Sequence, residues 1–222
     1  MAFMAKIVKI LKKYWLVYLK GLGGTLWISA VVVIVGTLLG ILVTLMHMGK
    51  IKPLRWLTDA FIEIIRGTPV LLQLYFFWIL LPKIIPVQLS ETACILVALI
   101  VNASAYISEI IRAGIGAVDV GQWEAARSLG LSEKNVMSRV ILPQAVKNIL
   151  PALGNEFIST VKGTSLASVF FVRELMTSYR TVQSATFLAL QSLIIVGVIY
   201  FVLNFVLSKL LHVLERRLMV SD

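Results

Sequence analysis

The chain has 222 residues, 59% of them hydrophobic and 14% charged, where an ordinary soluble domain carries ~25% charged residues. That balance excludes a soluble globule and points to an all-α integral membrane protein, because helices satisfy their own backbone polar groups in lipid. The formal net charge of +10 would suit nucleic acid in a soluble chain. Here the bases lie between apolar runs, where anionic headgroups and the positive-inside bias account for them, and no DNA-reading motif is present.

Residues 3–20 hold Lys6, Lys9, Lys12, Lys13 and Lys20 among Ile7, Ile10, Leu11, Trp15 and Leu16. Five lysines oppose a span, so residues 1–20 read as an interfacial amphipathic helix ahead of a transmembrane domain over 21–217. The apolar run that follows is too long for a signal-peptide core and has no A-x-A cleavage pattern, so the segment is expected in the mature protein. A first span covers about 25–47 and contains Gly36-Thr-Leu-Leu-Gly40, a spacing that lets helices approach closely. A second covers about 56–81 and is interrupted by Arg66-Gly67-Thr68-Pro69, followed by Gln73. Such a break in a span implies freed backbone groups facing protein or water. A third span covers about 90–111 and contains the single cysteine, Cys94, which excludes a disulfide framework or a Cys-rich metal site. A fourth, about 148–171, is interrupted at Lys162-Gly163-Thr164-Ser165, and a fifth covers about 186–211. Five spans place the termini on opposite sides of the membrane.

The longest polar interval, residues 119–145, reads as two short helices with a hinge. Gly121 starts the first, with Glu124 in its opening turn, and Gly130 offers a left-handed stop. Ser132 caps the second, which Pro143 ends or kinks. A rod of about eight residues is marginal by itself and requires a docking surface.

Polar groups inside spans cost free energy and call for a role. Asn102, Tyr106 and Glu109 fall on one stripe of the third span and suit the wall of a substrate cavity. Glu109 has two readings: it pairs a substrate ammonium, or it pairs Arg112 three residues on. In the fourth span Glu156, Thr160 and Gly163 share one face, and Ser159 and Lys162 another. Glu156 balances a bound cation in one reading and a buried partner in the other. Carbonyls freed at Gly163 are candidates to line a pathway. Arg66 is able to receive a carboxylate, or it snorkels to the interface. His47 and His212 lack a second ligand at metal spacing, and no Walker A sequence is present, so the chain is expected to bind no metal and to hydrolyse no ATP.

Glu124-Ala125-Ala126, Gly130 and Ile141-Leu142-Pro143 together resemble the cytoplasmic coupling loop of ABC importer permeases. Glu63-Ile-Ile-Arg66-Gly67-Thr68-Pro69 with Gln73 resembles the polar amino-acid branch of that family. So do Asn102-Ala-Ser-Ala-Tyr106 with Glu109-Ile-Ile-Arg112-Ala-Gly114, and Leu150-Pro151-Ala-Leu-Gly154-Asn155-Glu156-Phe157. The resemblance implies the type I importer fold, alternating access, and a permease dimer in the bacterial cell membrane. It also implies an extracytoplasmic amino-acid-binding protein and cytoplasmic ATPase subunits that bind ATP and Mg. By the same resemblance Glu124, Ala125, Ala126, Gly130, Leu142 and Pro143 couple to the ATPase. Arg66, Thr68, Pro69, Gln73, Lys162 and Gly163 would lie along the pathway. With the loop inside, the N-terminus lies outside and the C-terminus in the cytoplasm, which charge counting favours by a narrow margin. Members for cationic amino acids often carry an acidic residue where Gly163 stands. Two other classes compete: a stand-alone ion- or proton-coupled carrier using Glu109 and Glu156, for which no inverted repeat is visible, and a membrane scaffold.

Overall fold

The computed structural model describes residues 2–219, and every element among them is helical. Helix α1, Ala2–Met48, is unbroken over 47 residues, or roughly 70 Å. The structure therefore replaces the expected interfacial helix and separate first span with one rod. Its lysine-bearing half does not lie alone on a surface. Ile10 and Tyr18, with Ile7, Tyr14 and Val17 beside them, pack against Leu175, Val182, Ile195 and Val196 in a small core of their own. Farther along, Gly36 and Gly40 bring α1 onto α4, Glu91–Gly116: an added Cβ would sit 3.0 Å from Ala103 Cβ and from Ile107 Cγ2. The glycine pair thus serves packing within the chain, reinforced by Thr44, whose hydroxyl donates to the Ser108 carbonyl at 3.2 Å.

The interrupted second span is two helices, α2, Lys52–Gly67, and α3, Val70–Ile84, which meet at 113°. Thr68 and Pro69 are extended at the corner, as Pro69 demands of the residue before it. Ser90 caps α4, accepting from the Ala93 amide at 3.2 Å. Helix α4 then forms the hub of the bundle, touching α1, α2, α3 and α7.

The polar interval holds α5, Val120–Ser128, and α6, Glu133–Asn135. Val136–Ile141 follows as a wide π-helical turn, and α7, Leu142–Gly163, continues without a stop at Pro143. The chain tightens to a 3-10 helix, Thr164–Phe170. Then come α8, Leu175–Thr186, and α9, Ala189–Met219. Helix α8 occupies the interval between the fourth and fifth expected spans.

By length and composition α1, α4 and α9 can each cross a bilayer, and the bent α2–α3 pair makes a fourth candidate. Helix α7, the expected fourth crossing, has the length but not the apolarity. Its fully buried residues are Ala145, Ile149, Ile158 and Val161, whereas Asn155, Ser159 and Lys162 are exposed and Glu156 and Thr160 line a cavity, so polar groups interrupt its surface.

Candidate functional site

Three arrangements emerge from this frame. The first is a cavity of about 210 Å³ among α1, α3, α4 and α7. Asn102 and Tyr106 come from α4; Glu156, Ser159, Thr160 and Gly163 come from α7; Val32, Val70, Leu99 and Leu166 supply apolar wall. Six expected residues are thus brought together by two helices that touch along their length. The Glu156 carboxylate is half-buried and takes no hydrogen bond or ion pair from the described residues. Nothing stands within 4 Å of where a Gly163 Cβ would lie, so this wall is open.

The second arrangement pins the corner between α2 and α3. Gln73, 6% exposed, donates through Nε2 to the Ile65 carbonyl at 2.7 Å and to the Thr68 carbonyl and hydroxyl at 3.1 and 2.8 Å. These are the carbonyls that the break releases from the helical ladder. Its Oε1 accepts from Asn102 Nδ2 at 2.9 Å, tying the corner to the cavity wall. Arg66 reaches the same helix, donating to Glu109 Oε2 at 2.8 Å with its guanidinium 5.6 Å from the Tyr106 ring centroid. Arg112 holds Glu109 by two further bonds of 2.8 Å. Of the two readings of Glu109, the ion pair is the one this geometry contains, and Glu109 does not line the cavity. Arg66, Thr68, Pro69, Gln73 and Lys162 also stand outside the lining; Lys162 is exposed.

The third is the loop helix. Asp119 caps α5, accepting from the Gly121 amide at 2.7 Å, so the helix begins one residue before Gly121. At its end Gly130 has φ +76°, with its amide donating to the Arg127 carbonyl at 2.9 Å and the Leu131 amide to the Ala126 carbonyl at 3.2 Å. This paired closure requires the left-handed residue that glycine supplies. Arg127 stacks over Trp123 and bonds Glu133 at 2.8 Å, which holds that carboxyl below its usual range. Ala126 is 4% exposed and belongs to the main core of this chain, packed with Trp123 and Leu131 alongside. It faces inward, so it is not available as a contact for another protein. The outward surface is Val120, Glu124, Ala125 and Leu129, the last 81% exposed; Pro143 is exposed at the start of α7, and Leu142 lines a separate apolar cavity with Ile41, Leu45 and Met48 of α1.

One group escaped the sequence reading. Glu174 is fully buried with no cation paired to it among the described residues, its carboxylate accepting from the Met176 amide at 2.7 Å, the Thr177 amide at 2.5 Å and Tyr200 Oη at 3.1 Å. It caps α8 and binds it to α9. The available signal was an acidic residue just ahead of a helix start, which is weak in isolation.

Comparison with known proteins fits this geometry. Residues 36–220 match the family described as "Binding-protein-dependent transport system inner membrane component". The arginine transport system permease protein ArtQ of Bacillus subtilis is 40% identical over 92% of this chain and 93% of its own length. The probable glutamine ABC transporter permease protein GlnM of the same organism is 38% identical over 95% and 97%. A crystal structure described as an amino acid ABC transporter with histidines superposes with a TM-score of 0.90 at 43% identity, covering 93% of this chain and 96% of that one. A chain of the MetNI methionine ABC transporter, 18% identical with a TM-score of 0.67 over 90% and 96%, shares the fold. With a family match over most of its length and relatives aligned nearly end to end, the chain belongs to the binding-protein-dependent transport system inner membrane components, as a permease of the amino-acid ABC importer type.

Proposed function

We propose that this permease passes a polar amino acid through the α4–α7 cavity by alternating access. The observation that carries the reading is Glu156, a half-buried carboxylate without a partner among the described residues, in a cavity otherwise walled by neutral groups. An unpaired buried charge is costly, and a substrate ammonium would offset it. Asn102, Tyr106, Ser159 and Thr160 are then suited to hydrogen-bond the rest of the amino acid. Gly163 leaves room for its side chain.

Energy enters from cytoplasmic ATPase subunits, which bind ATP and Mg, through the surface of α5 around Glu124, Ala125 and Leu129. Closure of the ATPases carries α5 inward and turns the cavity outward toward an extracytoplasmic binding protein. A second permease copy, identical or closely related, completes the membrane unit. The N-terminus lies outside and the C-terminus in the cytoplasm. A self-sufficient carrier relaying ions through Glu109 and Glu156 gains nothing from this arrangement, since two guanidinium groups already hold Glu109.

The test is reconstitution of the permease with its ATPase and binding protein in vesicles, supplied with a panel of amino acids. Uptake of a polar amino acid that requires ATP inside and the binding protein outside is the expected result. Uptake driven by an ion gradient without ATP would instead establish the carrier.

A further inference from the structure

The turn Val136–Ile141 is wound wider than the helices on either side. The Leu142 amide donates to the Met137 carbonyl, five residues back, where an α-helix would reach four. The cause is adjacent. Pro143 has no amide hydrogen, and in an α-helix its ring would meet the Arg139 carbonyl. Taking up one extra residue relieves that clash.

The turn sits between two rigid parts. On one side, α5 is bonded to α7 by Gln144 Nε2 donating to Gln122 Oε1 at 3.3 Å, and Ala126 lies in the core that contains Val136 and Ile141, both 0% exposed. On the other, α7 continues through Pro151 to the cavity residues, with Glu156 about 21 Å beyond Leu142. Displacement of α5 therefore reaches α7 along the chain through the π turn, with the Gln122–Gln144 bond as a second link between the two helices. Ser138 and Arg139 are exposed, so one side of the turn is free to move.

We propose that this π turn is the adjustable joint of coupling, and that Pro143 and Gln144 are its positioning residues. Migration of the extra residue along the turn shifts α7 against α5 by about one residue's rise, roughly 1.5 Å. The cavity wall moves without either helix unwinding. The inference rests on the reading that α5 docks the ATPase.

The experiment uses the reconstituted complex with two variants. Deleting Ser138 removes the surplus residue and should leave a continuous α-helix with both flanks in phase. Pro143→Ala restores the missing amide and tests the same point without shortening the chain. Co-purification of the ATPase reports docking, and substrate moved per ATP hydrolysed reports transmission. The Ser138 deletion should keep the ATPase bound and lose uptake per ATP, and Pro143→Ala should lose uptake per ATP in the complexes it forms. In the wild-type complex, amide exchange over residues 139–145 should change between nucleotide-free and ATP-trapped states, and the deletion should abolish that change. Wild-type uptake per ATP in both variants, or exchange there that ignores nucleotide, overturns the joint. Loss of the ATPase from both complexes overturns it too, by making the turn part of the docking contact. If even the wild type binds no ATPase, it is the importer reading that has failed.

Discussion

Asn102 and Gln73 face each other across the corner between α2 and α3, joined by one bond of 2.9 Å. Through it, a residue of the cavity wall shares a side chain with the carbonyls that the break leaves open. Gln73→Leu would strand the Ile65 and Thr68 carbonyls and the Asn102 amide. Each orphaned group costs about 1 to 3 kcal/mol where water is excluded, less where it enters. The expected outcome is a lower unfolding temperature of the purified permease, read by intrinsic fluorescence, whereas Thr68→Val should cost less because Gln73 keeps its backbone partners.

Tyr106→Phe keeps the aromatic face beneath Arg66 and removes only the hydroxyl. Uptake should weaken with complex assembly unchanged. Glu156→Gln should weaken uptake more, because it removes the charge that draws the substrate. Uptake assays in vesicles at equal permease content separate these outcomes from poor folding; unchanged uptake in both variants would remove the cavity from the pathway.

The two faces of α5 should respond differently. Ala126→Asp places a charge in this chain's own core and should cost several kcal/mol of permease stability, with low yield in the membrane. Leu129→Asp changes an 81% exposed side chain and should leave the permease intact while the ATPase no longer co-purifies. Gly130→Val forces a β-branched residue to φ +76°, at about 1 to 3 kcal/mol, and should loosen the closing turn.

Gly24 lies against the Arg173 carbonyl, and a Cβ there would collide with that backbone oxygen, so the backbone must shift. Gly24→Ala should push α1 from α8, cost ~1 to 3 kcal/mol and disturb the Glu174 cap next to the contact. Thermal unfolding of Gly24→Ala and Glu174→Ala, singly and together, measures this. Less than additive losses are expected, because both act on one junction.

Topology offers a separate check. With Cys94 replaced, a cysteine at Lys6 should react with an impermeant thiol reagent in intact cells, and one at Arg216 only after lysis. Equal labelling of both in intact cells would contradict an odd number of crossings.

The membrane class, the broken second span, the left-handed Gly130 and the Asn102–Tyr106 stripe were all legible in the residues. Each follows from a short-range cause: apolar run length, proline sterics, glycine freedom and helical period. The family resemblance rested likewise on contiguous motifs around Glu124 and Arg66. What the chain order could not show was partnership at long range. The lysine-rich start looked like a surface helix because its matching face, α8 and the start of α9, lies more than 150 residues away. Glu109 had two readings until the fold brought Arg66 to it. Ala126 was read as facing another protein, although helical period alone cannot say which side of a short helix meets its own core. Glu174 gave only the weak signal of an acidic residue ahead of a helix start until Tyr200 arrived from α9. In the sequence these groups were only polar or only apolar. Their roles were decided by which partner the folded bundle brought within hydrogen-bonding or van der Waals reach, because a buried charge or polar group is costly without such a partner.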